Sequence, residues 1–391
     1  MKKYYEPAED SSLLAAAVAR HAHGRVLDMG TGSGIQAITA AKKTAVKHVV
    51  AADINDDALQ FAAAATKKEK AVAKITLLKS NLFSSVKGKF DTIIFNPPYL
   101  PQDKGIVDNA IYGGKHGYET LEQFLDGCCE HLSDKGIILI VFSSRTNKQK
   151  VNEAIERNCL EFKQLEEKNL FFETLHTYLI RKSRLLLQLQ KKGIASAKLL
   201  AKGNRGIVYK GNYKGKPVAV KAQRKDTAAF SAVENEKKWL RQLNKQGIGP
   251  KLLFTGKDWF ASEFAEGQFI IDFINSYSEK KKIIAVVKDL LQQARKLDKL
   301  KINKEEMLRP QKHAIVNENG KATMLDFERC HKSLTPKNTT QFCQFLASGY
   351  VATLLRQKGI AVERCKILNA AKEYKHSQTD ENFKKIESQI A

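Results

Sequence analysis

The chain lacks any long apolar run. Stretches such as Ile137 to Phe142 fall far short of the ~20 residues a bilayer-spanning helix needs, so no membrane partner is expected. Cysteine is sparse as well. Six are scattered through 391 residues with no CxxC pair, which argues against a zinc site and a disulfide framework and suits a reducing compartment. Cys128-Cys129 read most simply as helix-core residues. The opening Met1-Lys2-Lys3-Tyr4-Tyr5-Glu6 has no apolar centre of the kind a secretory leader carries, so a cytoplasmic location is the expectation. There is no internal repeat, no low-complexity segment and no Pro/Gly/Ser-rich linker.

Acidic residues are short in one half only. Residues 1–183 hold 25 Lys and Arg against 22 Asp and Glu, a net of +3, whereas residues 184–391 hold 41 against 20, a net of +21. The length calls for two domains, each able to bury an ordinary core. The basic half points to a polyanion such as RNA or the ribosome. The alternative is a lysine-rich solubilising surface, since lysine dominates over arginine and no aromatic-interleaved RNA motif is present. The polar tail from about Glu373 is expected to fray.

The first half carries an ordered series of signals. Val26-Leu27-Asp28-Met29 is a short apolar strand, Gly30-Thr31-Gly32-Ser33-Gly34 follows, and Ile35 to Ala41 reads as helix. Glycines let the backbone approach a ligand closely. The run is GxGxG, not the GxGxxG of nicotinamide binders, and not a Walker loop. A second strand, His48 to Ala52, ends in Asp53, whose carboxylate is placed to bind ribose hydroxyls. A third, Thr92 to Phe95, runs into Asn96-Pro97-Pro98-Tyr99. Two prolines stiffen the backbone there and hold Asn96 in place. The Asn side chain, with the Pro97 carbonyl, can fix a planar NH2 group in one orientation. Alkylating an amide nitrogen needs that grip, because its lone pair is delocalised and has to be aimed.

These residues resemble the release-factor glutamine methyltransferase family, and most closely its short archaeal and eukaryotic branch. The strings that carry the resemblance are Tyr5-Glu6-Pro7-Ala8-Glu9-Asp10-Ser11, Leu27 to Gly34, Asp53-Ile54-Asn55, Asn96 to Tyr99 and Gly113-Gly114-Lys115-His116-Gly117-Tyr118-Glu119. The resemblance implies a doubly wound α/β domain over residues 1–183. It also implies S-adenosylmethionine as cofactor and, as acceptor, the Gln of the GGQ loop in a peptide-chain release factor. Asp28, Gly30, Gly32, Asp53 and Asn81 would hold the cofactor; Asn96, Pro97 and Tyr99 would hold the target amide. Asn81 departs from the family, which usually has Asp there. The resemblance also implies a candidate partner, since eukaryotic relatives in this branch work with a small zinc-bearing subunit.

In residues 184–391, Gly203 and Gly206 fit the second and third glycines of the kinase pattern G-x-G-x-x-G-x-V, with Ala201 in place of the first. Pro217-Val218-Ala219-Val220-Lys221 matches a strand ending in a phosphate-binding Lys. A helix with Glu234 and Glu236 follows, Glu236 being the better partner for Lys221. Met324-Leu325-Asp326-Phe327-Glu328 resembles the metal-binding DFG, with Glu in place of Gly. The series looks like a small, two-lobed α+β kinase of the atypical archaeal type, implying ATP and magnesium. No H-x-D-x-x-x-x-N loop is present. If His313 stands where the metal-binding Asn belongs, Leu308 occupies the base position, and Glu306 is the nearest substitute. A pseudokinase that binds RNA or protein is the alternative. For the first half, the rival readings are an adenine nucleic-acid methyltransferase and a protein-lysine methyltransferase.

Overall fold

The computed structural model describes residues 7–102, 111–224 and 232–390. Tyr5 and Glu6 of the N-terminal string, and the side chain of Leu308, lie outside that description. Two compact units divide at Leu199/Leu200. Among the described residues no helix is long and apolar enough to cross a membrane, and the six cysteines are all free.

The first unit runs α1 (Glu9–His21), β1 (Gly24–Met29), α2 (Ile35–Ala41), β2 (Val46–Asp53), α3 (Asp56–Lys68), β3 (Ile75–Lys79), β4 (Phe90–Phe95), α4 (Glu119–His131), β5 (Leu132–Ser143), α5 (Lys148–Arg157), β6 (Leu160–Asn169), β7 (Thr174–Lys182) and α6 (Arg184–Lys191). Its seven-stranded sheet has the order β3-β2-β1-β4-β5-β7-β6. The first five strands are parallel, and β7 runs antiparallel to both β5 and β6. The central strands β1 and β4 are apolar runs because both faces of a parallel sheet are covered; Leu27, Ile93 and Ile94 are fully buried. Leu14 and Val18 of α1 pack with Val26, Ile94 and Leu139 in one core cluster. This is the doubly wound architecture of S-adenosylmethionine-dependent methyltransferases. Chain order reverses at β1, with β2 on one side and β4 on the other, and ligands bind outside the strand ends at such a point.

β8 (Ile194–Lys202) runs across the division. The second unit continues with β9 (Gly206–Tyr213), β10 (Lys216–Gln223), α7 (Ala232–Leu243), β11 (Leu252–Thr255), β12 (Trp259–Glu263), β13 (Gln268–Phe269), α8 (Ile270–Ser276) and α9 (Lys280–Lys299). It ends with β14 (Ile302–Asn303), β15 (Ala314–Val316), β16 (Ala322–Met324), β17 (His331–Lys332), α10 (Asn338–Leu346), α11 (Gly349–Gln357), α12 (Arg364–His376) and α13 (Asp380–Glu387). A five-stranded sheet has the order β11-β12-β10-β9-β8. One apolar core joins Leu240 of α7 to Leu290, Phe342 and Tyr374 of the later helices.

The C-terminal tail departs from the sequence expectation: it is ordered helix. Phe383, Ile386 and Ile390 form an i, i+3, i+7 stripe that is buried in this core. The Arg295 guanidinium lies 4.1 Å from the Phe383 ring centroid, and Thr379 caps α13 by accepting the Asn382 N–H at 3.2 Å. A composition that is polar on average hid a narrow apolar face.

Candidate active site

In the first unit Met29 at the end of β1 stands beside Phe95 at the end of β4. Gly30 and Asn96 therefore leave adjacent parallel strands into the same crevice. A cavity of about 500 Å3 opens there, lined by Gly30, Gly32, Asp53, Asn81, Asn96, Pro97 and Tyr99 among others. Its volume suits a small-molecule cofactor.

The glycine loop is shaped from below. Gly30, Gly32 and Gly34 all have positive φ (61°, 51° and 80°), a backbone that side-chain-bearing residues rarely adopt. Asp28, expected among the cofactor-binding groups, does not line the cavity. It is buried beneath the loop, where Oδ2 accepts from Thr31 Oγ1 at 2.6 Å and from Ala37 N at 3.0 Å. Burial pushes its pKa up to about 7, against the pull of those two donors. Asp53 faces the cavity at the end of β2. Its Oδ2 accepts from Gly32 N and its Oδ1 from Asn55 N, both at 2.9 Å. The carboxylate thus ties the loop to the second strand, and each oxygen keeps a lone pair able to accept a further hydrogen bond. Asn81 is exposed on the cavity wall, its backbone N–H donating to Ser84 Oγ at 3.2 Å.

Asn96 Nδ2 donates to Asp10 Oδ2 at 3.1 Å and to Ser11 Oγ at 3.3 Å. Tyr99 donates its phenolic proton to the same Asp10 oxygen at 3.2 Å. A carboxylate can only accept from these groups, so Asp10 fixes which way the Asn96 amide points. Asn96 lines the cavity, and its Oδ1 is left buried without a hydrogen-bond partner. A buried acceptor left unpaired is costly, and a ligand N–H is one partner that would relieve it. The segment behind it is braced. Thr146 Oγ1 donates to Tyr99 O at 2.8 Å, and Leu100 N and O pair with Ile111 O and Gly113 N, both at 3.0 Å. A Cβ at position 113 would stand 2.3 Å from Pro98 O, so Gly113 is required for this close approach. Asp10 lay in the N-terminal string without being singled out as a site residue, because no local spacing links residue 10 to residue 96.

In the second unit Lys221 on β10 meets three carboxylates. Its Nζ is 2.5 Å from Glu236, 3.3 Å from Asp326 and 3.5 Å from Glu328. The partner on α7 is Glu236, while Glu234 pairs with Lys237. Burial works to lower the Lys221 pKa, but Glu236 and Asp326 outweigh it and hold it raised. Burial pushes Glu236 up against the pull of Lys221. Asp326 ends below its ordinary value, because Lys221 and Lys304 outweigh its burial. One oxygen each from Glu236, Asp326 and Glu328 lies within 4.8 Å of the others, a set able to hold a metal ion. His313 Nδ1 is 3.5 Å from Asp326 Oδ2. Burial and Lys304 lower its pKa, against Asp326. Gly203 N donates to Gly206 O at 2.9 Å, closing the loop between β8 and β9, and Arg205 in that loop pairs with Glu328 at 2.8 Å. Glu306 is buried between Arg329 at 2.7 Å and Lys304 at 3.2 Å, and Lys304 also donates to the Asp326 carbonyl. Lys304 and Arg205 come into view only through these contacts, and Glu328, which stands where the metal-binding motif has Gly, gains its place beside Lys221 from them.

Residues 7–172 match the family described as Methyltransferase small domain. A putative protein N5-glutamine methyltransferase of Methanocaldococcus jannaschii is 40% identical over 150 residues, which are 37% of this chain and 75% of that protein. A release factor glutamine methyltransferase of Agrobacterium fabrum is 33% identical over 110 residues, and there the match spans 26% of this chain and 38% of the relative. The solved Mtq2–Trm112 complex of E. cuniculi, responsible for methylation of the translation termination factor eRF1, is 26% identical. It covers 46% of this chain and 100% of that one, with a TM-score of 0.38. By its 40% identity across three quarters of the M. jannaschii protein, this chain belongs to the protein N5-glutamine methyltransferase family of S-adenosylmethionine-dependent enzymes.

Proposed function

We propose that the first unit methylates the side-chain amide of a glutamine in a peptide-chain release factor. The observation that carries this is the unpartnered Asn96 Oδ1, a hydrogen-bond acceptor held in one orientation by Asp10. The glycine loop and Asp53 would hold S-adenosylmethionine, which would supply an electrophilic methyl for the amide nitrogen, its sulfur leaving as the thioether. Asn96 Oδ1 accepts one N–H of the acceptor amide and so sets the plane of its NH2 group. Tyr99, held by the same Asp10 oxygen, walls that position. These groups supply orientation instead of a strong base, because the amide proton can leave to solvent after attack. Lysine and adenine acceptors compete with this reading through the same NPPY string. Incubating the chain with labelled cofactor and a release factor, DNA or RNA separates them. Label on the glutamine of the release factor, abolished in Asn96→Ala with cofactor binding retained, is the expected result. Asn96→Ala should cost about 2–4 kcal/mol of barrier. A small activating subunit belongs to the proposal too, and comparing the chain alone with the chain co-expressed with such a partner tests it.

For the second unit we propose a two-lobed, kinase-like domain that binds ATP and magnesium. The support is the sheet order with α7 following β10, the Lys221–Glu236 pair, and Asp326 placed just after β16. Lys221 would meet phosphate; Asp326, with His313 or Glu328, would meet the metal. Glu306 has its oxygens held by Arg329 and Lys304, so the reading stops at nucleotide binding and does not extend to phosphoryl transfer. The basic surface is read as an RNA or ribosome contact, whose affinity should fall steeply with salt. Thermal-shift titration of the whole chain with ATP and magnesium checks the nucleotide. No stabilisation of the second unit at millimolar nucleotide, with the same result in Asp326→Asn, would end this reading.

A further inference from the structure

The turn between β6 and β7 goes against local preference. β6 ends at Asn169 and β7 begins at Thr174, and Leu170 N donates to Glu173 O at 2.8 Å to close the turn. Its two central positions favour Gly, Asn, Asp or Pro. They are held here by Phe171 and Phe172, which are 93% and 78% exposed. The rings meet edge to face, with centroids 4.7 Å apart. The hairpin is tied to the core by other residues: Leu175 is buried, and Leu170 packs against the same cluster. Two adjacent exposed phenylalanines thus do nothing for the fold and carry a solubility cost. Residues that break a local rule without a structural return point to function.

Their place gives the function. Glu173, the next residue, lines the cavity together with Asn96 and Tyr99. Its carboxylate accepts from Ser143 Oγ at the end of β5. Ser144 N donates to Thr174 O at 2.7 Å and Thr174 N donates to Ser144 Oγ at 3.0 Å. The base of the turn is therefore pinned to the cavity wall, and the aromatic pair begins one residue outside it. A protein whose glutamine occupies the cavity would have this turn, through Glu173, as a neighbour of its bound segment. Aromatic side chains are enriched at protein interfaces and supply most of the anchoring energy where they meet an apolar partner.

We infer that Phe171 and Phe172 are the docking anchor for the acceptor protein, gripping an apolar patch beside its target glutamine. The inference rests on the protein-glutamine reading of the first unit. The test uses the full-length chain, as wild type and as Phe171→Ala/Phe172→Ala. Two acceptors are compared: an intact release factor, and a short peptide carrying its GGQ loop. For the intact factor, kcat/KM should fall roughly tenfold or more, through KM, as loss of an interface anchor does. Turnover of the peptide and the cofactor Kd should stay within about twofold of wild type, values that unfolding would not leave intact. Phe171→Leu/Phe172→Leu should restore most of the loss. An unchanged KM for the intact factor overturns the inference, as does an equal loss on both acceptors. So does a wild-type dimer that the double variant dissolves, because the rings would then face a second copy. A wild type that methylates neither acceptor overturns the glutamine reading itself, and the docking role with it.

Discussion

The Asn96 side-chain amide donates to the Asp10 carboxylate at 3.1 Å, across 86 residues of sequence. That bond turns a flexible polar group into an aimed acceptor. Tyr99 donates to the same oxygen at 3.2 Å, so one carboxylate sets two walls of the position where the acceptor amide would lie.

Asp10→Asn should therefore impair turnover more than cofactor binding. The new amide can donate as well as accept, so the Asn96 amide is free to flip. The loss of a charged hydrogen-bond partner is worth about 1.5–3 kcal/mol, or about 10- to 150-fold in kcat. Steady-state rates, with a calorimetric cofactor titration alongside, measure both quantities. A cofactor Kd raised as much as kcat is lowered would place Asp10 in cofactor binding instead.

Asp53→Ala should act the other way. It removes the acceptor proposed for the cofactor ribose and frees Gly32 N, at a cost of about 1.5–3 kcal/mol. The cofactor Kd should rise about tenfold or more, with kcat at saturation largely kept. Asp53→Asn retains one acceptor oxygen and should lie between the two. Equilibrium dialysis with labelled cofactor is sufficient.

Asp28 predicts a pH dependence of stability. Its folded pKa is raised to about 7 from an ordinary value near 3.8. Between those values the folded chain holds a proton that the unfolded chain has released. Its contribution is therefore present at pH 4 and is lost as pH rises toward 7, on the order of a few kcal/mol. In Asp28→Asn that part of the slope should vanish. Hydrogen exchange of the β1 amides against pH reads it locally, and identical slopes in the two proteins would refute the assignment.

In the second unit, Lys221→Met should leave Glu236 buried without its cation and cost about 3–5 kcal/mol. Glu236→Gln should strand Lys221 less severely, since Asp326 and Glu328 remain near it. The double variant should lose less than the sum of the single ones. Both tryptophans of the chain, Trp239 and Trp259, lie in this unit. Their fluorescence in a urea titration follows its unfolding alone.

What can be read along the chain was read from local rules. The apolar runs of β1 and β4, the helix at Ile35 and the turn residues after each strand depend on neighbours a few positions away, and there the structure agrees with the sequence to within a few residues. The same holds for Asp53 and Asn96, because a strand end in a doubly wound sheet puts the next side chain at the crevice. Lys221 and Glu236 are legible as a pair because a strand and the helix after it leave few alternatives.

Tertiary structure decided the rest, for one physical reason: a side chain's partner is set by through-space packing, which local periodicity does not encode. Asp28 and Asp53 are both acidic residues near strand ends, yet the first turns under the glycine loop and the second faces the cavity. Asp10 reaches Asn96 only because α1 packs over β5 and the sheet brings residue 10 beside the end of β4. Phe383 and Ile386 read as part of a polar tail until a helical face collected them into the core. Glu328 looked like a lapse from a glycine motif, and the fold made it the third carboxylate around Lys221. The residue types alone determined which chemistry the chain can carry; the packing of distant segments decided which atoms are left free to perform it.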